Sequence, residues 1–407
     1  MPSTLPDGDP APADGSLPPA ALDELAERPL SVYVHVPFCT TRCGYCDFNT
    51  YTAEELGPLP GASRVSYVDA ALQEVRLAAR VLDGRHSGVP TVFLGGGTPT
   101  LLPAEDLARL LAGVRDALGL DAGAEVTTEA NPDSVDSAYL QRLAEAGYTR
   151  VSFGMQSAVP HVLRVLERTH DPERVPRVVE QARAAGLDVS LDLIYGTPGE
   201  SARDWQASLD AVLAAAPDHV SAYALIVEEG TRLAAQVRRG LLPVPDDDDL
   251  ADKYLQAEEA LGGAGYGWYE VSNWARGPEH ACRHNVAYWE GAGWWGVGPG
   301  AHSHVGGVRW WNVKHPAAYS RRMAEGASPA HAREVLDRED RRVERVLLEL
   351  RLARGVPLEV LRAAGRAAAQ RHADAGLLDR RALGEGRAVL TLRGRLLADA
   401  VVRDLVD

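Results

Sequence analysis

From about residue 31 to residue 225, short apolar runs rich in Val, Leu and Thr alternate with longer stretches in which apolar residues recur every three or four positions. The short runs predict strands over 31–36, 91–95, 125–130, 150–154, 189–194 and 219–224. The longer stretches predict helices over 66–82, 104–118, 134–146, 159–166, 172–185 and 202–215. Six β-α repeats in succession predict an α/β fold of parallel strands joined by right-handed crossovers. Six is too few for a closed eight-stranded barrel, so the expectation is a partial (β/α)6 TIM-like barrel. An open, doubly wound sheet is the alternative.

Past residue 225 the rhythm changes. Four acids, Asp246 to Asp249, open an amphipathic helix running to about Leu261, where they favour the positive end of the helix dipole. Residues 266–312 are dense in Gly, Trp and Tyr. The last segment predicts helices over 339–354 and 358–373, a small hairpin near 387–393 and a final helix. Helices with a terminal β-wing suggest a mainly helical, winged-helix-like domain. The residues before the first strand are rich in Pro, Ala, Asp and Gly and lack a basic segment, which reads as a disordered leader rather than a signal peptide. The expected division is a leader over 1–29, a core over 30–230, a barrel extension over 231–330 and a C-terminal domain over 331–407.

Charge and cysteine usage narrow the function. A formal net charge of −15 and a pI near 5.3 argue against nucleic acid as a partner. Four cysteines in 407 residues are too few for a disulfide scaffold. They fit a reducing, cytoplasmic setting, and no apolar run reaches the ~18 residues of a membrane span. Nothing in the pattern separates a monomer from a homodimer.

Three of those cysteines, Cys39, Cys43 and Cys46, follow the first strand with the spacing C-x3-C-x2-C. Three thiolates can hold three irons of a [4Fe-4S] cluster and leave the fourth open to a substrate or cofactor. Zinc is the alternative; it wants four ligands, and His35 is the nearest fourth. Other unusual residues also fall where strands end, which is where sites lie in barrels and α/β sheets. Gly95, Gly96, Gly97 and Thr98 follow strand two; the glycines let backbone approach a ligand, or make a turn. Glu129 closes strand three, Gln156 follows strand four and Asp192 lies in strand five. Buried acids need partners, supplied by a cationic or hydroxyl-bearing ligand or by Arg150 or Arg168. Gln156 has a plainer reading as a helix cap.

These residues together resemble the radical S-adenosylmethionine (SAM) superfamily, with aromatic Tyr45 before the last cysteine and the Gly-Gly-Gly-Thr-Pro run. The resemblance implies that the open iron binds SAM and that electron transfer into its sulfonium yields a 5′-deoxyadenosyl radical. The chain is more closely similar, from about residue 30 to the C-terminus, to the oxygen-independent coproporphyrinogen III oxidase group. That similarity implies SAM contacts by Tyr33, Glu129, Gln156, Arg168 and Asp192, with Ala224 a weaker match. Coproporphyrinogen dehydrogenases of the group carry a further cysteine two residues after the third cluster ligand; here Phe48 stands there. His284-Asn285-Val-Ala-Tyr288-Trp289 resembles the H-N-x-x-Y-W motif of the heme chaperone subfamily HemW. The resemblance therefore implies heme as cargo and hemoproteins, respiratory enzymes among them, as recipients, without coproporphyrinogen oxidase activity.

Seven of the eight tryptophans lie within 268–311, as do His284, His302, His304 and Cys282, the candidate axial ligands for heme iron. The same tryptophans suit packing between barrel and C-terminal domain, and His284 suits a hydrogen-bonded core position. The Gly296–Gly300 run reads as a hinge or as an approach to SAM. Two competing functions are a coproporphyrinogen dehydrogenase acting by radical decarboxylation of propionates, and a winged-helix regulator with an iron–sulfur sensor.

Overall fold

A computed structural model describes residues 7–26 and 28–407. Thirteen strands form one sheet: β1 (Asp9–Pro10), β2 (Leu30–Val36), β3 (Thr91–Gly96), β4 (Glu125–Ala130), β5 (Arg150–Gln156), β6 (Asp188–Tyr195), β7 (His219–Ala224), β8 (Gly267–Glu270), β9 (Asn273–Ala275), β10 (Gly293–Val297), β11 (His302–Val305), β12 (Val308–Asn312) and β13 (Ala330–Val335). The spatial order is β1-β13-β12-β11-β10-β2-β3-β4-β5-β6-β7-β9-β8. The six predicted strands are thus β2 to β7, all parallel and in unbroken sequence order. A doubly wound sheet reverses order at a switch point; this one does not. Its two end strands do not pair with each other, so the barrel is partial.

Each predicted barrel helix is present, over Arg64–Leu82, Ala104–Leu118, Ser137–Ala146, Pro160–Val165, Arg174–Ala184 and Ala202–Ala215. Side-chain caps set several starts: Asp136 accepts from Tyr139 N–H, and Ser201 and Asp204 form a capping box. The acidic helix is Asp247–Gly263, with Asp246 as its cap. Val, Leu and Ala on the inner faces of these helices pack on strand residues such as Val34, Leu94, Val126, Val151, Leu191 and Val220, all buried.

Two expectations need correction. The leader is ordered over residues 7–26, its residues 1–6 and 27 lying outside the described residues. β1 pairs antiparallel with β13, and the helix Pro19–Leu25 buries Ala21 and Leu25 in the main core. Within 231–330, β8 and β9 continue the sheet past β7, while β10 runs parallel beside β2. The C-terminal domain begins near residue 337 rather than 331, because 330–335 is β13.

That domain has its own core, including Val346, Leu350, Ala369, Val401 and Leu405. Its first helix, Arg338–Glu349, stops short of the expected Arg354 because Leu352 bridges Glu270 and Ala353 N–H bonds Tyr269 C=O at 2.8 Å on the barrel. The helix expected over 358–373 splits into a 3-10 turn, Leu358–Val360, and Ala363–Asp374. No hairpin forms at 387–393. Arg387 and Ala388 pair instead with Val356 and Pro357, and Thr391 caps a helix over Leu392–Leu396. Among the described residues no helix is long and apolar enough to cross a membrane.

Candidate functional site at the two ends of the barrel

The cysteine loop leaves the carboxyl end of β2 and folds back on itself. Cys39 N–H donates to Tyr51 C=O at 3.0 Å, and Tyr51 N–H to Pro37 C=O at 2.7 Å. Gly44 is held between two neighbours, donating to Leu166 C=O at 3.3 Å and accepting from Leu233 N–H at 2.9 Å. Tyr45 packs beside Val162, Leu166, Ile194 and Leu225. Phe48 is 57% exposed.

All three thiols are free and half-buried, and burial pushes Cys39 up and Cys46 up to about 12. Among the described residues, the only group of three metal-ligating side chains with ligand atoms all within 4.8 Å of one another is Asp188, Asp218 and His280. The three thiols therefore do not stand as close together as the sulfurs of one zinc site, about 3.8 Å apart for tetrahedral bonds of ~2.3 Å. His35, the fourth ligand that zinc would want, is committed to Tyr33 and Asn49 at 2.9 Å each. Three spread thiols without a fourth partner fit a four-iron cluster with one open corner.

The three glycines serve the protein before any ligand. A Cβ on Gly97 would lie 2.4 Å from Phe38 C=O, and one on Gly96, whose φ is +109°, would lie 2.6 Å from the His35 ring. Gly97 and Thr98 donate to Val36 and Phe38 C=O at 2.8 Å each, stitching this loop to the cysteine loop. Gly96 N–H is not free for a ligand; it donates to Glu129 at 3.0 Å.

Tyr33, Phe93, Glu129, Ser152, Asp192 and Ser221 occupy one face of the sheet through register and contact. Among the described residues neither Glu129 nor Asp192 has an Arg or Lys within 4.0 Å; Arg150 pairs with Glu125 and Asp188 instead. Removal from water, with Asp192 nearby, raises Glu129 to about 8, and removal from water raises Asp192 to about 6 despite its bonds from Ser152 and Ser221. Arg168 donates to Gly154 C=O at 2.7 Å and lies 3.6 Å from Cys43 Sγ. Gln156 is no helix cap. It sits at a β-bulge with φ +62°, a strained conformation for a side-chain-bearing residue. Ala224 closes β7 at the same rim.

The His-Asn-x-x-Tyr-Trp segment is elsewhere. It forms the helix Arg283–Trp289, whose start is pinned by Glu125, the first residue of β4. Arg283 and His284 N–H each donate to Glu125 at 3.0 Å, and the Cys282 thiol lies at 3.6 Å. His284 Nδ1 is 2.9 Å from the hydroxyl of Thr91, the first residue of β3. This helix closes the amino end of the barrel, opposite the cysteines, with Gly96 about 16 Å further along β3 at ~3.3 Å per residue. The His284 ring stacks on Phe93 at 5.3 Å, and Phe93 on Tyr33 at 6.4 Å, so an aromatic column joins the two ends.

The tryptophans do not converge on one box. Trp274, Trp295, Trp310 and Trp311 are buried in the sheet, and Arg395 of the C-terminal domain covers Trp268 at 3.6 Å. The Cys282 thiol lies against Glu125, beside the His284 backbone, and His302 stacks on Trp311. His304 packs on Trp294, in turn 4.8 Å from Tyr288. Trp289 bonds buried Glu270, and Glu290 pairs with Arg354 at 2.7 Å, docking the C-terminal domain onto this helix. The Gly296–Gly300 run is held by its neighbours at the carboxyl end of β10. Gly298 packs on His35 C=O and donates to buried Glu74 at 2.7 Å, while Asn49 donates to Pro299 C=O at 2.9 Å.

Residues 33–212 match the Radical SAM superfamily. The heme chaperone HemW of Mycobacterium tuberculosis is 52% identical over 380 residues, covering 93% of this chain and 95% of that protein. The chain belongs to the HemW family. Among HemW relatives, the Escherichia coli protein is 38% identical over 68% of this chain and 70% of its own. Coproporphyrinogen III oxidase (HemN) of E. coli, described as a radical SAM enzyme, shares the fold with a TM-score of 0.79 and 26% identity, over 95% of this chain and 92% of that one. The motifs do not single out Thr91, Phe93 and Glu125, which hold the His284 helix and ring, or Asn49, which holds His35. Alternation along each strand, Thr91-x-Phe93-x-Gly95 and Glu125-x-Thr127-x-Glu129, was the available signal.

Proposed function

We propose that the chain carries heme, holding it through His284 at the amino end of the barrel, and binds SAM on a [4Fe-4S] cluster at the carboxyl end. The observation that carries the heme reading is the state of the His284 ring. Thr91 donates its one hydroxyl hydrogen to Ser31 Oγ at 2.7 Å, so it accepts from His284 Nδ1–H. Nε2 is then the bare nitrogen, the arrangement in which a second partner fixes a ligating imidazole. Burial lowers its pKa to about 4, so the ring is neutral and able to bind iron at physiological pH. Asn285, Tyr288 and Trp289 complete the heme-side helix.

At the other end Cys39, Cys43 and Cys46 hold the cluster. Tyr33, Tyr45, Gly96, Gly97, Thr98, Glu129, Gln156, Arg168, Asp192 and Ala224 shape the space for SAM, the acids facing its positive charge. When bound, cluster and SAM supply one-electron reductive chemistry. The relatives named heme chaperone support the heme-carrying role; delivery to hemoproteins, respiratory enzymes among them, in the cytoplasm, is part of this proposal. The acidic surface suits protein recipients rather than nucleic acid.

Anaerobic heme titration tests the reading. The chain takes up one heme saturably with a Soret shift. His284→Ala weakens that uptake at least tenfold while the iron–sulfur absorption stays. Unchanged heme affinity removes His284 from the site, and conversion of coproporphyrinogen by the same preparation overturns the carrier reading. Cys43→Ala abolishes the cluster absorption.

A further inference from the structure

Burial holds the His35 imidazole neutral, so only one of its nitrogens carries hydrogen. Its Nε2 is 2.9 Å from the backbone carbonyl of Asn49, which can only accept. The hydrogen therefore sits on Nε2, and Nδ1 is an acceptor. Nδ1 is 2.9 Å from the Tyr33 hydroxyl, which must then donate to it. The His35 ring packs edge-on where a Cβ of Gly96 would come within 2.6 Å, and Tyr67 holds the His35 backbone by donating to its carbonyl at 2.8 Å. Asn49 is fixed in turn, its side chain donating to Pro299 and Lys314 C=O at 2.9 and 2.8 Å.

We infer that His35 is a positioning residue that consumes the only hydrogen of the Tyr33 hydroxyl, so that Tyr33 meets the bound ligand as an acceptor, beside Glu129 and Asp192, and selects a cationic group there. The inference rests on the reading of the mouth as a SAM site and adds to it how one contact is given its polarity. Among the described residues no Arg or Lys lies within 4.0 Å of the two acids, so a bound ammonium or sulfonium, whose charge draws Glu129 and Asp192 back to their ionised forms, meets three oxygen acceptors, and a carboxylate finds no partner there. The same link makes that polarity depend on the cysteine loop, because the group that fixes the His35 tautomer is the backbone three residues after Cys46. A loop that leaves its place frees Nε2, and with it the direction of the Tyr33 hydrogen.

The test is SAM affinity by anaerobic equilibrium dialysis on the full chain, with iron counted for every variant. Gln at position 35 keeps a donor where Nε2 is and offers nothing at Nδ1; Asn keeps an acceptor at Nδ1. His35→Gln is expected to bind SAM about tenfold more weakly at full iron content, the scale of one hydrogen bond to a charged group. Tyr33→Phe is expected to do the same. The double variant is also about tenfold weaker, not a hundredfold, since His35 acts through Tyr33. His35→Asn stays within about threefold of wild type. Wild-type affinity in His35→Gln, or a hundredfold loss in the double variant, overturns the inference. If His35→Gln loses iron, His35→Asn carries the test, and a tenfold loss there at full iron is overturning. A wild-type chain with its cluster and no affinity for SAM overturns the underlying reading of the mouth.

Discussion

Replacing Glu125 with alanine separates the two ends of the barrel. Glu125 is buried, and its carboxylate receives the N–H groups of Arg283 and His284 at 3.0 Å each. Hydrogen bonds to a charged acceptor contribute about 1.5 kcal/mol each. The same carboxylate lies 3.6 Å from Arg150, whose other acidic partner, Asp188, is at 3.8 Å. Stripping one member from a buried pair costs about 3–5 kcal/mol. Both effects remove the same charge and overlap, so the expected loss of unfolding free energy is about 4 kcal/mol rather than their sum. His284 follows the released helix start, and heme affinity falls at least tenfold. The cysteine loop, at the far end of the strands, keeps its iron. Urea unfolding, heme titration and iron analysis on one preparation read all three. Glu125→Gln, with one acceptor oxygen left, falls between wild type and Ala. A Glu125→Ala chain within about 1 kcal/mol of wild type and with unchanged heme affinity refutes the account of how the motif helix is held.

Lys253 is 1% exposed and binds Glu200 C=O at 2.9 Å and Glu200 Oε2 at 3.5 Å, while Glu200 accepts Gly196 N–H at 2.7 Å. Lys253→Met is expected to cost about 3 kcal/mol in urea unfolding, with Glu200→Gln in the same chain recovering part of it; no recovery sinks the pairing. Glu74, raised by burial to about 7 from 4.5, favours the folded state below pH 4.5 and loses that contribution as pH rises through 7. The melting temperature of Glu74→Gln relative to wild type should therefore improve between pH 5 and pH 8, and a constant gap contradicts it. Gly97→Ala drives a Cβ to 2.4 Å from Phe38 C=O and is expected to lose most of the bound iron, whereas Gly262→Ala, with nothing within 4 Å, keeps it.

The repeating barrel was legible because each strand and helix declares itself within a dozen residues, and the six parallel strands fall within two residues of their expected limits. The motif residues at the strand ends were legible for the same reason: parallel topology alone brings them to one rim. What stayed hidden depends on distant partners. The leader has the composition of disorder, yet Pro10 pairs with Ala332 and Leu25 lies in the core. Residues 387–393 look like a local hairpin until Val356 proves the better partner for Ala388. Tryptophan density suggested one aromatic wall, but β9 and β10 carry those rings to opposite sides of the six-stranded core. The opposition of His284 and the cysteines was invisible because nothing local to 283–289 says which end of the barrel it closes.

The placement of β10 has a consequence for biosynthesis. While the nascent chain is being made, β2 presents bare N–H and C=O groups along one side until residues 293–297 leave the ribosome, and the N-terminal strap waits longer still, for residues 330–335. For most of its translation the thiol-bearing loop therefore hangs from an unfinished border prone to sticking, and slow synthesis or a missing tail should show up first as aggregation rather than as lost chemistry.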